Sequence, residues 1–261
     1  MNRRKLLLRL GLFGAAVGAG VVLRDKVVWR RPDVSFAGDD WLDWAEPRAD
    51  TPTADVIVNG RPVRALIDSG AQYSVIDLSL VDQLDLTDGF NMPLVAYGVG
   101  GIPQMGRGTA LSVQVGSARI DRLQAAILEL GQLARQDGLA TPLILGQDVL
   151  GQAVLDMDLT PRRRTERRLR LMPPGTPPPP EVSPVAVRSA GRSLKTSVTV
   201  EGVSVEAVVD TGSSSHLALS EGTARRAGLL DGRPQTEGQS LVLGGVMTSR
   251  IVRAGRVAIG G

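Results

Sequence analysis

The alternation of apolar and polar positions predicts a chain built mainly from β-hairpins. Val56 and Val58 alternate with Asp55, Ile57 and Asn59, and Asn59-Gly60 then supplies a two-residue hairpin signal. The return strand Val63-Arg64-Ala65-Leu66-Ile67 becomes continuously apolar and stops at Asp68, which places an acid at the mouth of a buried strand. Tyr73-Ser74-Val75-Ile76 reads as the next strand. Ser79-Leu80-Val81-Asp82 resembles a capping box opening a short helix through Leu84. Strand-like runs at 94–97 and 109–115 flank the glycine-rich segment Tyr97-Gly98-Val99-Gly100-Gly101-Ile102-Pro103, which predicts a mobile hairpin. A phosphate-binding loop has similar glycines, but Pro103 follows where that loop needs a helix. Leu143-Ile144-Leu145-Gly146 predicts a buried strand leading into a helical turn. Residues 154–159 and 169–172 predict paired strands around a solvated, arginine-rich turn at 161–168.

The pattern then starts again. Val56, Val58, Gly60, Val63, Ala65, Asp68 and Gly70 align without gaps on Val198, Val200, Gly202, Val205, Ala207, Asp210 and Gly212, and one constant offset relates all seven pairs. The short helix recurs at 219–229, and Leu243-Gly244-Gly245-Val246 echoes the first glycine-rich hairpin. A proline-rich linker, residues 173–195, separates a first lobe (54–172) from a second (196–261). Nothing in the second lobe corresponds to residues 117–172, so that lobe is expected to be incomplete.

Charge and composition sharpen this picture. Asn2-Arg3-Arg4-Lys5, then leucines, then an uncharged apolar run from 10 to 23 predict an export signal. That run is short of the about 20 residues a membrane span needs, and Arg3-Arg4 resembles a twin-arginine signal. Residues 1–31 are therefore read as a signal peptide or signal anchor. The remainder is expected in the periplasm, free or anchored to the inner membrane. Residues 32–53 read as a spacer.

The chain has no Cys and a single His, which excludes thiolate catalysis, Cys-ligated zinc and disulfides. A His-rich metal site is excluded with them. His216 lies too close in sequence to Ser213 and Ser215 to serve them as a triad base, and it reads as a surface or strand residue. No metal or cofactor is expected. Much of the net charge of +3 arises from two local basic clusters, so the charge does not indicate a nucleic-acid partner.

What remains is carboxylate chemistry. Two lobes related by a pseudo-twofold axis would bring Asp68 and Asp210 face to face. Carboxylates that close share a proton and titrate as a coupled pair, one member activating water while the other polarises a carbonyl. Ser69 and Thr211 could hydrogen-bond across the interface, and Gly70 and Gly212 would leave room for the partner strand.

Asp68-Ser69-Gly70-Ala71 and Asp210-Thr211-Gly212-Ser213 resemble the signatures of aspartic peptidases of the retropepsin-like kind. Leu143-Ile144-Leu145-Gly146 resembles the strand that backs the catalytic loop in that family, and residues 97–102 resemble its flap. The resemblance implies a mostly β acid-protease fold of closed barrel lobes, here as a tandem repeat. It implies Asp68 and Asp210 as catalytic residues, with Ser69, Gly70, Thr211 and Gly212 supporting them. Tyr97, Gly98, Val99, Gly100, Gly101 and Ile102 would cover an extended peptide or protein substrate, cleaved as by an endopeptidase. Two alternatives stand beside this reading: a catalytically silent peptide-binding or assembly module, and a homodimer of the first lobe.

Overall fold

The computed structural model describes residues 30–47, 49–86, 90–97, 103–135, 139–159, 166–242 and 245–259. The basic and apolar leader at 1–29 and the expected flap residues from Gly98 to Ile102 lie outside them. Among the described residues no helix is long and apolar enough to cross a membrane.

The stretch expected as a spacer carries two strands, β1 (Asp33–Phe36) and β2 (Leu42–Asp43), with Trp44 buried beside them. Both are edge strands, and their exposed polar positions hid them from the pattern. Next come β3 (Thr53–Val58) and β4 (Arg61–Ile67), joined through Asn59 and Gly60 at φ 48° and 83°. Those left-handed angles make the tight turn whose twist suits a hairpin. On β3 the side chains of Ala54, Val56 and Val58 point inward while Asp55 and Ile57 face out.

β5 (Val75–Asp77), α1 (Leu80–Gln83), β6 (Phe90–Tyr97), β7 (Pro103–Val115) and β8 (Ala118–Leu128) follow. Ser79 makes no side-chain cap on α1, contrary to the capping-box pattern. Asp77 takes over that end: one of its oxygens accepts the Ser79 N–H (3.0 Å) and the other accepts the Leu130 N–H (2.8 Å). β9 (Leu143–Leu145), α2 (Gln147–Leu150), β10 (Val154–Asp158) and β11 (Arg168–Met172) complete the lobe.

The main sheet runs β1-β8-β5-β9-β4-β3-β7-β6, and an additional β7–β8 pairing closes six of its strands into a barrel. β4 sits inside that ring, antiparallel to β3 and parallel to β9, with Ala65, Leu66 and Ile67 opposite Leu143, Ile144 and Leu145. Its continuous apolar run follows from that central position. Most of the expected arginine-rich turn, residues 161–165, lies outside the described residues, but the arginines at its far end have aromatic partners. Arg168 and Arg170 lie 4.9 and 4.3 Å from the Trp41 ring centroid, and Arg167 lies 4.8 Å from that of Trp44. Aromatic faces attract guanidinium groups, so these arginines fasten β2 to the β10–β11 hairpin.

The second lobe begins earlier than the linker pattern suggests, with β12 (Arg188–Ala190) pairing onto β13 (Ser193–Val200). β14 (Val203–Val208) follows a turn at Glu201 and Gly202, with φ of 49° and 83°, a copy of the first hairpin. α3 (Glu221–Arg226), the hairpin of β15 (Gln235–Val242) and β16 (Gly245–Val252), and β17 (Val257–Ile259) complete it. β17 pairs with the end of β13 as β7 does with β3. The buried core here is small, formed by Val198, Val200, Ala227 and Leu229. Among the described residues β14 has β13 as its only strand neighbour, whereas β4 has two.

The repeat therefore places like residues in unlike surroundings. Leu66 is 3% exposed and its counterpart Val208 is 46% exposed. Leu66→Ala should cost about 2–4 kcal/mol, the range for emptying a core site, and Val208→Ala less than about 1 kcal/mol. Urea unfolding of the two variants checks this; equal losses would show that the second lobe is packed as tightly as the first.

Candidate active site

Asp68 and Asp210 follow the ends of β4 and β14, the two strands that the repeat makes equivalent. Their backbones are launched alike: the Ile67 N–H donates to the Pro52 carbonyl and the Val209 N–H to the Leu194 carbonyl, both at 2.9 Å. The two loops then clasp each other. The Ser69 N–H donates to Thr211 Oγ1 and the Thr211 N–H donates to Ser69 Oγ, each at 3.0 Å. Each hydroxyl passes its own proton across the boundary, Ser69 Oγ to the Val209 carbonyl (2.8 Å) and Thr211 Oγ1 to the Ile67 carbonyl (2.7 Å). Each of the two hydroxyls thereby both accepts and donates across the boundary.

The clasp brings the two carboxyl groups into hydrogen-bonding contact. Each also lies against the opposite loop's glycine. A Cβ added to Gly70 would fall 2.5 Å from Asp210 Cγ, and one added to Gly212 would fall 2.6 Å from Asp68 Oδ1. No side chain fits there, which gives both glycines a steric reason.

The two acids differ in setting. Asp68 is partly buried, and its Oδ1 accepts N–H groups from Gly70 (2.8 Å) and Ala71 (3.0 Å). Desolvation by burial, helped by the negative charge of Asp210, raises its pKa to about 6 against the lowering pull of those two N–H bonds. Asp210 is exposed, and its Oδ1 accepts the Gly212 N–H at 2.9 Å.

The Asp68 loop is also backed from behind. The Asp68 N–H donates to the Leu145 carbonyl (3.0 Å), the Gln147 N–H to the Ala71 carbonyl (2.8 Å), and Gln147 Nε2 to the Ser69 carbonyl (3.2 Å). Asp148 accepts from the Ser74 N–H (2.9 Å) and the Ser74 hydroxyl (2.8 Å), while the Gly146 N–H donates to Ser74 Oγ (3.1 Å). Ser74, Gln147 and Asp148 were not singled out from the sequence. The signal was a polar pair lodged between two apolar runs, Leu143-Ile144-Leu145 and Val149-Leu150, where a buried polar group must find partners.

The sequence profile of the family described as "Aspartyl protease" matches residues 54–149 and 196–261, more than half of the chain. This chain belongs to the aspartyl protease family. The architecture of its described residues is mostly β, with a closed six-stranded barrel in the first lobe. Among curated protein sequences none is significantly similar to it. Solved structures similar to this chain include a retropepsin-like aspartic protease from Rickettsia conorii, at 12% identity and TM-score 0.35, covering 55% of this chain and 95% of the other. The retroviral protease-like domain of Ddi1 from Leishmania major is 22% identical, with TM-score 0.33 and coverages of 49% and 98%. EIAV protease complexed with the inhibitor HBY-793 is 21% identical, with TM-score 0.29 and coverages of 39% and 86%.

Asp68, Ser69, Gly70, Asp210, Thr211 and Gly212 all meet at the crossing. Tyr97 ends β6, and the rest of the expected flap, Gly98, Val99, Gly100, Gly101 and Ile102, lies outside the described residues. His216 is exposed, in keeping with its reading as a surface residue. Among the described residues no cluster of His, Asp or Glu could hold a metal ion.

Two measurements test this geometry. Thr211→Ala removes an acceptor and a donor at the clasp and should cost about 1–3 kcal/mol in urea unfolding, while Thr211→Ser should lose less than about 1 kcal/mol. The raised pKa of Asp68 gives a signed pH dependence. Its proton is held more tightly folded than unfolded, so its stabilising contribution is full below about pH 4 and is lost as pH rises through about 6. The melting temperature of Asp68→Asn, relative to the unaltered chain, should therefore improve between about pH 4 and pH 8. A constant difference would refute the shift.

Proposed function

We propose that the protein is an aspartic endopeptidase in which Asp68 and Asp210 form the catalytic pair. The reciprocal Ser69–Thr211 clasp carries this reading, because it sets two carboxyl groups in contact within one chain of the aspartyl protease family. A dyad supplied by the two lobes of one chain makes a homodimer of the first lobe unnecessary.

The chemistry follows from the two settings. With a pKa raised to about 6, Asp68 is the member that keeps the shared proton in mildly acidic solution. Asp210, the exposed member, takes a proton from a water held between the two. The hydroxide so formed attacks the scissile carbonyl, whose oxygen Asp68 polarises and protonates. Collapse of the resulting diol breaks the C–N bond: one of its hydroxyls returns a proton to Asp68, and the proton gathered by Asp210 passes to the leaving amine. One water is consumed and one carboxylic acid and one amine are produced. The substrate is an extended peptide or protein, covered by the hairpin that begins at Tyr97. With the N-terminal leader read as an export signal, that substrate would be met in the periplasm.

The test is cleavage of an unfolded protein by the full chain. We expect turnover that falls on the alkaline side as pH rises through about 6, where Asp68 loses its proton. A statine-type inhibitor should block it, and Asp68→Asn or Asp210→Asn should each lower kcat by at least about a thousandfold. Absence of cleavage by a folded preparation, or retained cleavage in either Asn variant, would overturn the proposal.

A further inference from the structure

The turn between β12 and β13 reaches across to the first lobe. Gly191, at φ 63°, bends the chain there, and the next residue, Arg192, sets its guanidinium 4.8 Å from the Tyr73 ring centroid. That is inside the distance of about 6 Å at which a cation is held by an aromatic face. Tyr73 follows the Asp68-Ser69-Gly70 loop and immediately precedes Ser74. Ser74 is the residue doubly bonded to Asp148 and also bonded to Gly146, so this segment joins the loop to β9 and α2.

Asp148 is 2% exposed. Burial pushes its carboxyl pKa up, while the nearby charge of Arg192 and the bonds from Ser74 and Val149 pull it down. Arg192 thus acts on two neighbours at once, the Tyr73 face and the carboxylate behind Ser74. A planar guanidinium suits this double duty, since it can stack and carry charge together. The arrangement is one-sided. At the repeat's offset of 142 residues, the counterpart of Arg192 is Asp50, and those of Tyr73 and Ser74 are Ser215 and His216.

We propose that Arg192 is a positioning residue, through which the second lobe holds Tyr73 and the Ser74–Asp148 pair and thereby the Asp68 loop. As a statement about turnover it rests on the reading of Asp68 and Asp210 as a catalytic pair; as a statement about the loop it stands on the contacts alone. Arg192 touches neither carboxyl of the pair. Its effect passes through the backbone of residues 69–74, which the Ser74–Asp148 and Gln147 bonds fix from behind.

The experiment compares the full chain with Arg192→Ala and Arg192→Lys by amide hydrogen exchange and by peptide-cleavage kinetics. In Arg192→Ala, exchange at the amides of 69–74 and 146–149 should quicken at least about fivefold, with β13 and β14 unchanged. The kinetic arm should show kcat reduced about fivefold to twentyfold with KM within about twofold, the signature of a displaced reacting group. Arg192→Lys, which keeps the charge and loses the planar face, should fall between the other two in both readouts. Unchanged exchange at those amides would overturn the proposal, as would quickening spread over the whole second lobe or a change confined to KM. A chain that cleaves nothing refutes the peptidase reading, and the exchange arm then still decides the role of Arg192.

Discussion

Two hydroxyl groups hold the molecule's centre together. Ser69 and Thr211 each accept a backbone N–H from the other's loop and donate to a carbonyl in the opposite lobe. Nothing charged is spent in this crossing, which matters because two carboxyl groups sit beside it and a third charge would alter their shared titration. The hydroxyl is the smallest group that both donates and accepts, and backbone atoms can therefore cross where the lobes meet. Glycine next to each acid is the complement of that choice, since it leaves room for the opposing carboxyl.

The two lobes repeat a sequence and differ in what surrounds it. In the first, β9 runs alongside β4, α2 ties down the loop behind Asp68, and desolvation raises the pKa of that acid. In the second, β14 has β13 alone beside it among the described residues, and Asp210 is exposed. A symmetric pair of sequence motifs thus becomes a pair of acids in unlike surroundings. Two carboxyl groups that close share one proton in any case, and here burial acts on the Asp68 member.

Much of this was legible in the residues. The Asn59-Gly60 turn, the apolar run into Asp68 and the constant spacing between repeats are local patterns with a fixed period, and each appears where the pattern put it. The parts that escaped were those set by distant neighbours. β1 and β2 are edges whose burial depends on β8 and β11, so their own residues carry little period. Arg167, Arg168 and Arg170 have no apolar pattern of their own, and their partners Trp41 and Trp44 stand more than a hundred residues earlier. Asp148 and Arg192 lie far apart in sequence, and neither Gln147-Asp148 nor a lone arginine after Gly191 has a motif to announce it.

The crossed position of the glycines has a consequence for how such a chain can change over generations. A side chain gained at position 70 would strike the acid of the second lobe, and one gained at position 212 would strike the acid of the first. Damage in one copy is therefore felt in the other, and neither copy can drift alone at this point. Elsewhere the two halves carry different residues at equivalent positions, as Tyr73 and Ser215 or Arg192 and Asp50 show. At this crossing they are one unit, because a single methyl group added to the glycine of either lobe would displace the acid held by the other.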